Sequence, residues 1–464
     1  MIFAERSTVT MFNDTIIAIS TPMGYSGLGV VRLSGRKALL VGKKIFRPKK
    51  EREMPARKLI FGGVFDFETK EFFDAAYMAY FPAPNSYTRE DMVEITCHGS
   101  PVVLEEIIRL GVRSGARLAH PGEFTLRAYL NGRIDILQAE AVNDLIRAAS
   151  LQGAKLSFRQ MEGGLSRRMA GIRSQIVELL GRIEAGIEFP DEGLRVSKGR
   201  ISKILATLIG NIRGLTASYD MGRLLTDGVA AAIVGRANVG KSTLFNALLE
   251  IDRAIVSPFP GTTRDYLKEK IKIRDIYFSL IDMAGMERAV HPVDKESIRR
   301  GKKIAVQADG LLLLFDSSRR ETAEDLALLK RFKDKKAILV FNKADLARNM
   351  DEGKIRRLAG RRPSIEVSAL KKTNINRLKD MIFECFAPSA KGGEDMLLHL
   401  REKMALEEIL GFLQAGQDHL RRGYPDEIYA EQIRKALPLI GRLTGEIKAE
   451  EVIEDIFKRF CVGK

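Results

Sequence analysis

The chain has 464 residues, 45% of them hydrophobic and 29% charged, with 76 Lys+Arg against 60 Asp+Glu and a formal net charge of +16. That length accommodates about three domains with ordinary hydrophobic cores and excludes a disulfide-stapled mini-protein. The positive balance points to a polyanionic partner and is silent on fold.

Three cysteines, Cys97, Cys385 and Cys461, form no CxxC pair and no zinc-ligand spacing, which implies a reducing compartment. Apolar runs such as Leu311 to Phe315 are far too short to cross a bilayer, and the opening MIFAERSTVTMFND lacks the apolar segment of a signal peptide. A cytoplasmic protein with no membrane attachment is expected.

From Asp14 to about Asn131, β-rich runs (TIIAIS, GVVRLSG, MVEITCHG) alternate with turns (TPMG, FPAPNS, HPGE) and one helical run, PVVLEEIIRLGVRSG. This predicts an α+β domain over residues 1–131. Leu165, Met169, Ile172, Ile176, Leu179, Ile183 and Ile187 then recur at three- and four-residue spacings, so residues 132–227 read as helical. Strands VAAAIV, IYFSLID, GLLLLFD and AILVFN alternate with helical stretches over residues 228–388, the pattern of a parallel α/β sheet. After the polar AKGGED stretch, Leu400, Met404, Ile409 and Leu413 restore a helical period over residues 389–464. Neither helical flank has many faces on which to bury its stripe. The simplest arrangement inserts the α/β unit into one helical domain built from both flanks.

VAAAIV runs directly into Gly235-Arg236-Ala237-Asn238-Val239-Gly240-Lys241-Ser242-Thr243, a G-x-x-x-x-G-K-[ST] loop in strand-to-helix context. Glycines let backbone amides curl around phosphates, the helix start adds its positive end, Lys241 meets the β/γ oxygens and the Ser242 hydroxyl ligates Mg²⁺. Asp282-Met283-Ala284-Gly285 closes a later strand with a carboxylate that reaches Mg²⁺ through water and a Gly amide that faces the γ-phosphate. Asn342-Lys343-Ala344-Asp345 closes another, where Asp345 can accept both donors of a guanine edge, and Ser368-Ala369-Leu370 completes that side. The nucleotide is read as GTP. In Ser257-Pro258-Phe259-Pro260-Gly261-Thr262-Thr263, Thr263 would close over Mg²⁺ as a switch. A Gln beside the DxxG glycine usually orients the attacking water, and Met286 stands there. Asn238 is either a cation ligand standing in for an arginine finger or a loop residue bonding its own backbone.

DTIIAISTPMGYSGLGVVRLSG, FPAPNSYTREDMVEITCHG, PGEFTLRAYLNGRIDILQAEAVNDLI, IEAGIEFPDE and the terminal FCVGK lie outside the nucleotide motifs. With these segments the chain resembles the MnmE (TrmE) family of tRNA-modification GTPases over nearly its whole length. The resemblance implies a folate-binding N-terminal domain similar to a glycine-cleavage aminomethyltransferase, which forms a homodimer, and a helical domain interrupted by a Ras-like GTPase domain. It implies a heterotetramer with the FAD protein MnmG (GidA). That complex places an aminomethyl or carboxymethylaminomethyl group on C5 of the wobble uridine of certain tRNAs, with carbon from a methylene- or formyl-tetrahydrofolate. It further implies hydrolysis that depends on K⁺ held by Asn238, Ser257, Phe259 and Thr262, and folate contacts at Arg32, Glu94, Arg133 and Lys464.

Other readings of these residues are surface charges at strand ends for Arg32 and Glu94, and a small buried hydrophobe rather than a nucleophile for Cys461. The chain departs from the family pattern at Met283, where Thr is usual, and at Arg133, where Lys is usual. The glutamate that orients water falls on Asp294 by gapless counting, with Glu296 beside it. A rival function is a ribosome-assembly GTPase acting as a timing switch without group transfer, which has no need of FCVGK or of NSYTRED. A folate-dependent aminomethyltransferase without a switch is opposed by the intact guanine motifs.

Overall fold

The computed structural model describes residues 13–50, 54–189, 196–250, 268–282, 306–387, 396–447 and 450–464. Two compact units form: Met1–Asn143 with Arg159–Gly210 and Ala405–Lys464, and Asp144–Phe158 with Asn211–Met404. Among the described residues no helix is long and apolar enough to cross a membrane.

The chain begins with β1 (Ile16–Ile19), β2 (Ser26–Ser34), α1 (Ala38–Ile45), β3 (Phe46–Pro48), β4 (Leu59–Phe65), β5 (Phe72–Phe81) and β6 (Met92–Gly99). Helix α2 (Pro101–Arg113), β7 (Arg117–Leu118), α3 (Glu123–Leu130) and α4 (Ile136–Arg147) follow. The strands make one sheet in the order β3-β4-β5-β6-β2-β1-β7. Strand alternation sends Val31 and Leu33 into a core with Met78, Ile95 and, from α2, Leu104, Ile107 and Leu110. Arg32, between them in sequence, faces the other way and stands in register with Glu94 on β6. Pro101 occupies the first turn of α2, where its missing N–H has no intrahelical partner to lose.

Helices α5 (Leu151–Met161), α6 (Gly164–Glu188) and α7 (Lys198–Asp227) come next. The stripe on α6 is buried at Leu165, Met169, Ile172, Ile176, Leu179 and Ile183, and α6 packs against helices contributed by the end of the chain.

The second sheet is built from β8 (Val229–Val234), β9 (Lys268–Ile273), β10 (Ile276–Asp282), β11 (Gly310–Asp316), β12 (Ala337–Asn342) and β13 (Ser364–Glu366). Between them come α8 (Lys241–Glu250), α9 (Ala323–Arg331) and α10 (Glu352–Ala359), and α11 (Ile375–Phe386) follows. The order is β13-β12-β11-β8-β10-β9, parallel except for β9, which pairs antiparallel with β10. Leu244 and Leu248 of α8 with Leu378 and Ile382 of α11 cover one face, and Leu329 of α9 with Ile355 of α10 cover the other. Strands β11 and β12 are therefore buried throughout, which explains their uninterrupted apolar sequences.

The chain ends in α12 (Leu400–Arg421), α13 (Asp426–Arg434), α14 (Ala436–Thr444) and α15 (Glu450–Lys458); α13 and α14 are the partners of α6. The stripe read from the sequence is corrected here: Leu400 and Met404 are exposed, and the buried side of α12 runs through Leu406, Ile409, Leu413 and Leu420. Its phase is set by Glu402, whose buried carboxylate accepts the backbone N–H groups of Leu398 and His399 at the helix start.

Candidate functional site: a nucleotide edge and a docked C-terminus

Parallel pairing brings the ends of β8, β10, β11 and β12 to one edge, with Asp282 opposite Ile233 and Asp316 opposite Asn342. Three of the four nucleotide motifs sit on loops leaving that edge. Asn238 (φ +62°) and Gly240 (φ +97°) take left-handed backbone in the loop after β8. A Cβ at Gly240 would lie 2.3 Å from the Asn342 amide nitrogen, so a side chain there would collide with the neighbouring motif.

The motifs brace one another. The Asn342 side-chain amide donates to the Val239 carbonyl at 2.8 Å and its oxygen accepts from the Ala369 N–H at 3.0 Å. Lys343, itself at φ +66°, donates to the Asn238 carbonyl at 3.0 Å and pairs with Asp316 at 2.6 Å. Burial alone would raise the Asp316 carboxyl; hydrogen bonds from Lys343 and Ser318 outweigh it and leave that group below the usual carboxylate range. Asp316 was not read from the sequence, although an acid closing an apolar strand beside NKAD is a usable signal.

Lys241 is buried and its Nζ donates to the Gly235 and Arg236 carbonyls at 2.9 and 3.0 Å, holding the loop as a closed ring. Ser242 is half-buried in the first turn of α8, Thr243 is exposed, and Asp282 is buried on the adjacent strand. On the far side of the edge, the Ser368 hydroxyl donates to Asp345 Oδ1 at 2.5 Å and accepts from the Lys371 N–H at 3.0 Å. This hydroxyl holds the Asp345 carboxyl below its ordinary value and fixes it as an ionised acceptor. Ala344 donates its N–H to Val367 O at 3.1 Å, and Leu370 is exposed at the rim. Ser257, Pro258, Phe259, Pro260, Gly261, Thr262, Thr263, Met283, Ala284, Gly285, Asp294 and Glu296 lie outside the described residues.

A second constellation stands on the outward side of β2 and β6. The Arg32 guanidinium pairs with Glu94 at 2.8 Å, lies 5.9 Å from the Tyr87 ring and 5.7 Å from the Phe124 ring, and donates to the Gly463 carbonyl at 3.4 Å. Arg133 covers the same Tyr87 ring at 4.8 Å and donates to the Ser86 carbonyl. The C-terminal tail arrives here: Phe124 N–H donates to the Lys464 carbonyl at 3.2 Å, and Gly122 N–H to Cys461 O at 3.3 Å. Burial and the nearby Arg32 lower the Lys464 ammonium below its usual value, with Glu94 acting the other way. Arg32 and Arg133 thus meet over the Tyr87 ring, with Glu94 paired to Arg32 and Lys464 tied to the Phe124 backbone. Cys461 is exposed, so the buried-hydrophobe reading of it is corrected. Tyr87, Phe124 and Gly463 were missed, since nothing local in sequence couples an N-terminal sheet to the last residues.

The sequence profile of the MnmE helical domain matches residues 136–461, and that of the GTP-binding protein TrmE N-terminus matches residues 15–133. The tRNA modification GTPase MnmE of Alkaliphilus metalliredigens is 37% identical over 458 residues, 97% of this chain and 99% of its own length. The protein of that name from Thermoanaerobacter sp. is 38% identical over 460 residues, 98% of this chain and 100% of its own. The one from Thermotoga petrophila is 37% identical over 454 residues, covering 97% and 100%. Among solved structures, the FeoB G-domain from Methanococcus jannaschii aligns with 34% of this chain and 97% of its own, at 24% identity and a TM-score of 0.26. With both family profiles matched and relatives this similar aligned end to end, the chain belongs to the MnmE family of tRNA modification GTPases.

Proposed function

We propose that this GTPase reads guanine with Asp345, cradles the phosphates of GTP in the Gly235–Ser242 loop, and couples hydrolysis to modification of C5 of a tRNA wobble uridine. It works in this reading as a homodimer joined to the FAD protein MnmG. The observation that carries it is the preformed guanine side: Asp345 held ionised by Ser368, and Asn342 tying that side to the phosphate loop. An ionised carboxylate accepts from both N1–H and N2–H₂ of guanine, whereas adenine lacks that pair of donors.

Lys241 has two loop carbonyls as partners and would exchange them for phosphate oxygens, keeping its charge satisfied throughout. The Ser242 hydroxyl at the start of α8 and the Thr263 hydroxyl would ligate Mg²⁺, with the Asp282 carboxylate at the end of β10 reaching it through water, hard oxygen donors suited to that ion. Mg²⁺ would neutralise charge on the β- and γ-phosphates. K⁺ at Asn238, Ser257, Phe259 and Thr262 would add a further charge, and Asp294 or Glu296 would orient water. Arg32, Glu94, Arg133 and Lys464, beside the Tyr87 and Phe124 rings, offer ion pairs and donors suited to the pterin and glutamate ends of a methylene- or formyl-tetrahydrofolate. Cys461, exposed beside them, is the candidate nucleophile.

The test is base specificity. Asp345→Asn places a donor where an acceptor is needed, so GTP affinity should fall by about ten- to a hundredfold while XTP affinity rises. Titration of both nucleotides against both proteins decides it; an unchanged preference for GTP would remove Asp345 from base reading.

A further inference from the structure

Much of the chain's excess charge is concentrated in one stretch of the GTPase domain. Residues 330–379 hold 16 Lys+Arg against 5 Asp+Glu. Within it, KRFKDKK (330–336) and RRLAGRR (356–362) carry nine cations and one acid. The first segment ends α9 and leads into β12; the second ends α10 and leads into β13. Because β12 and β13 are parallel neighbours, both segments reach the same edge of the sheet, where the strands begin. The nucleotide loops leave the opposite edge.

The two segments are joined. Arg362 donates to the Phe332 carbonyl, and to that of Lys335 at 3.4 Å, while Lys335 reaches the Ala308 carbonyl at 3.0 Å. Those cations fix the loops. Lys330, Lys333, Lys336 and Arg361 are exposed, and among the described residues none of them is in an ion pair. Basic residues in a last helical turn complement the helix dipole, which accounts for Lys330, Arg331, Arg356 and Arg357. It does not account for Lys333, Lys336 and Arg361, which lie beyond the helix ends.

We infer that this edge is a docking face for the sugar–phosphate backbone of RNA, the tRNA on which the GTPase acts. The inference rests on the tRNA reading above. Fixed loops presenting exposed cations, with Leu358 the one large apolar side chain exposed among them, match a polyanion and offer little to insert into a lipid layer. The position leaves the nucleotide edge free, so RNA and GTP can be held together.

Full-length protein is titrated with unfractionated tRNA between ~50 and ~200 mM KCl. Two double variants, Lys330→Gln/Lys333→Gln and Lys336→Gln/Arg361→Gln, are compared with a control in which exposed Lys43, Lys44, Lys49 and Lys50 become Gln. Each double variant should weaken binding about five- to thirtyfold at ~150 mM and flatten the plot of log affinity against log salt by about one to two. GTP affinity should stay unchanged, and Lys330→Arg/Lys333→Arg should retain tRNA. If wild type binds tRNA and the double variants match it in affinity and slope, the face is wrong and the tRNA reading stands. If the control loses as much as the variants, general charge replaces this face as the explanation. If wild type does not bind tRNA, the functional reading falls with the inference. Loss confined to anionic phosphatidylserine vesicles would assign the edge to a membrane and overturn it.

Discussion

Arg127 is fully buried, yet it carries a charge that three acids need. Its guanidinium meets Asp14 at 2.7 Å, Glu123 at 2.9 Å and Glu90 at 3.1 Å, while Arg117 shares Asp14 and Glu123. Burial would raise the Glu123 and Asp14 carboxyls, and the two arginines reverse this, leaving both below their usual values. Arg127→Met keeps the volume and strands buried Glu123 beside a single arginine. Breaking one partner out of a buried ionic network costs about 3–5 kcal/mol, so the denaturant midpoint of the N-terminal unit should fall clearly, while an unchanged midpoint would mean that Arg117 alone suffices. The sign with pH follows from the depressed carboxyls. Their contribution is complete above the unfolded values, about 4 to 4.5, and is lost as pH falls through the lower folded values. Arg127→Met should therefore show a shallower acid loss of stability than wild type.

At the scale of elements, the last four residues are held by their backbone, while Phe460 just before them is buried and stacked on Phe457. Gly463 sits at φ +93°, its carbonyl accepts from Ser20 at 3.2 Å and from Arg32, and a Cβ there would lie 2.2 Å from the Ile19 carbonyl oxygen. Gly463→Ala should displace the tail from Arg32 and weaken formyl-tetrahydrofolate binding by about tenfold or more, with GTP affinity unaltered. Calorimetry on the full chain checks this, and equal folate affinity would detach the tail from that site. No local period joins Arg32 to Gly463 across 431 residues, so the docking of the tail beside the N-terminal domain was legible only through the family resemblance of FCVGK. The nucleotide edge was legible for the opposite reason: β8, β11 and β12 are covered on both faces, read as apolar runs, and carry their motifs at their ends. Strands β4 and β5 escaped notice because Gly62 and Gly63 interrupt one and Leu59, Phe61, Phe72 and Tyr77 are exposed, which erases the alternation. In α12 the polar Glu402, acting at the helix start, sets a phase that hydrophobic spacing alone misassigns.

At the scale of the whole molecule, GTP turnover requires a positive charge where negative charge develops between the β- and γ-phosphates. Met286 cannot orient water, and Arg236 within the loop lies 3.7 Å from Asp325 rather than over the phosphate cradle. Lys343 is already engaged with Asp316 and the Asn238 carbonyl. In the proposed reading a monovalent cation at Asn238 would supply such a charge, and in a homodimer, closing the switch segments around it would bring two GTPase domains together. K⁺ suits an oxygen cage that the smaller Na⁺ fits poorly. Removing one preorganised charge-stabilising element lowers rates on the order of 10²–10³, so replacing K⁺ by Na⁺ at matched ionic strength should slow turnover by at least about tenfold. Asn238 has φ +62°, so the informative variant is Asn238→Gly, which keeps that backbone and removes the side-chain oxygen. Its turnover in K⁺ should drop to about the wild-type rate in Na⁺, with GTP affinity little changed because the Lys343 contact is to the backbone carbonyl. Equal rates in the two salts, for a protein that binds GTP normally, would rule out cation-assisted hydrolysis and leave Asp294, Glu296 and the loop amides to carry the chemistry.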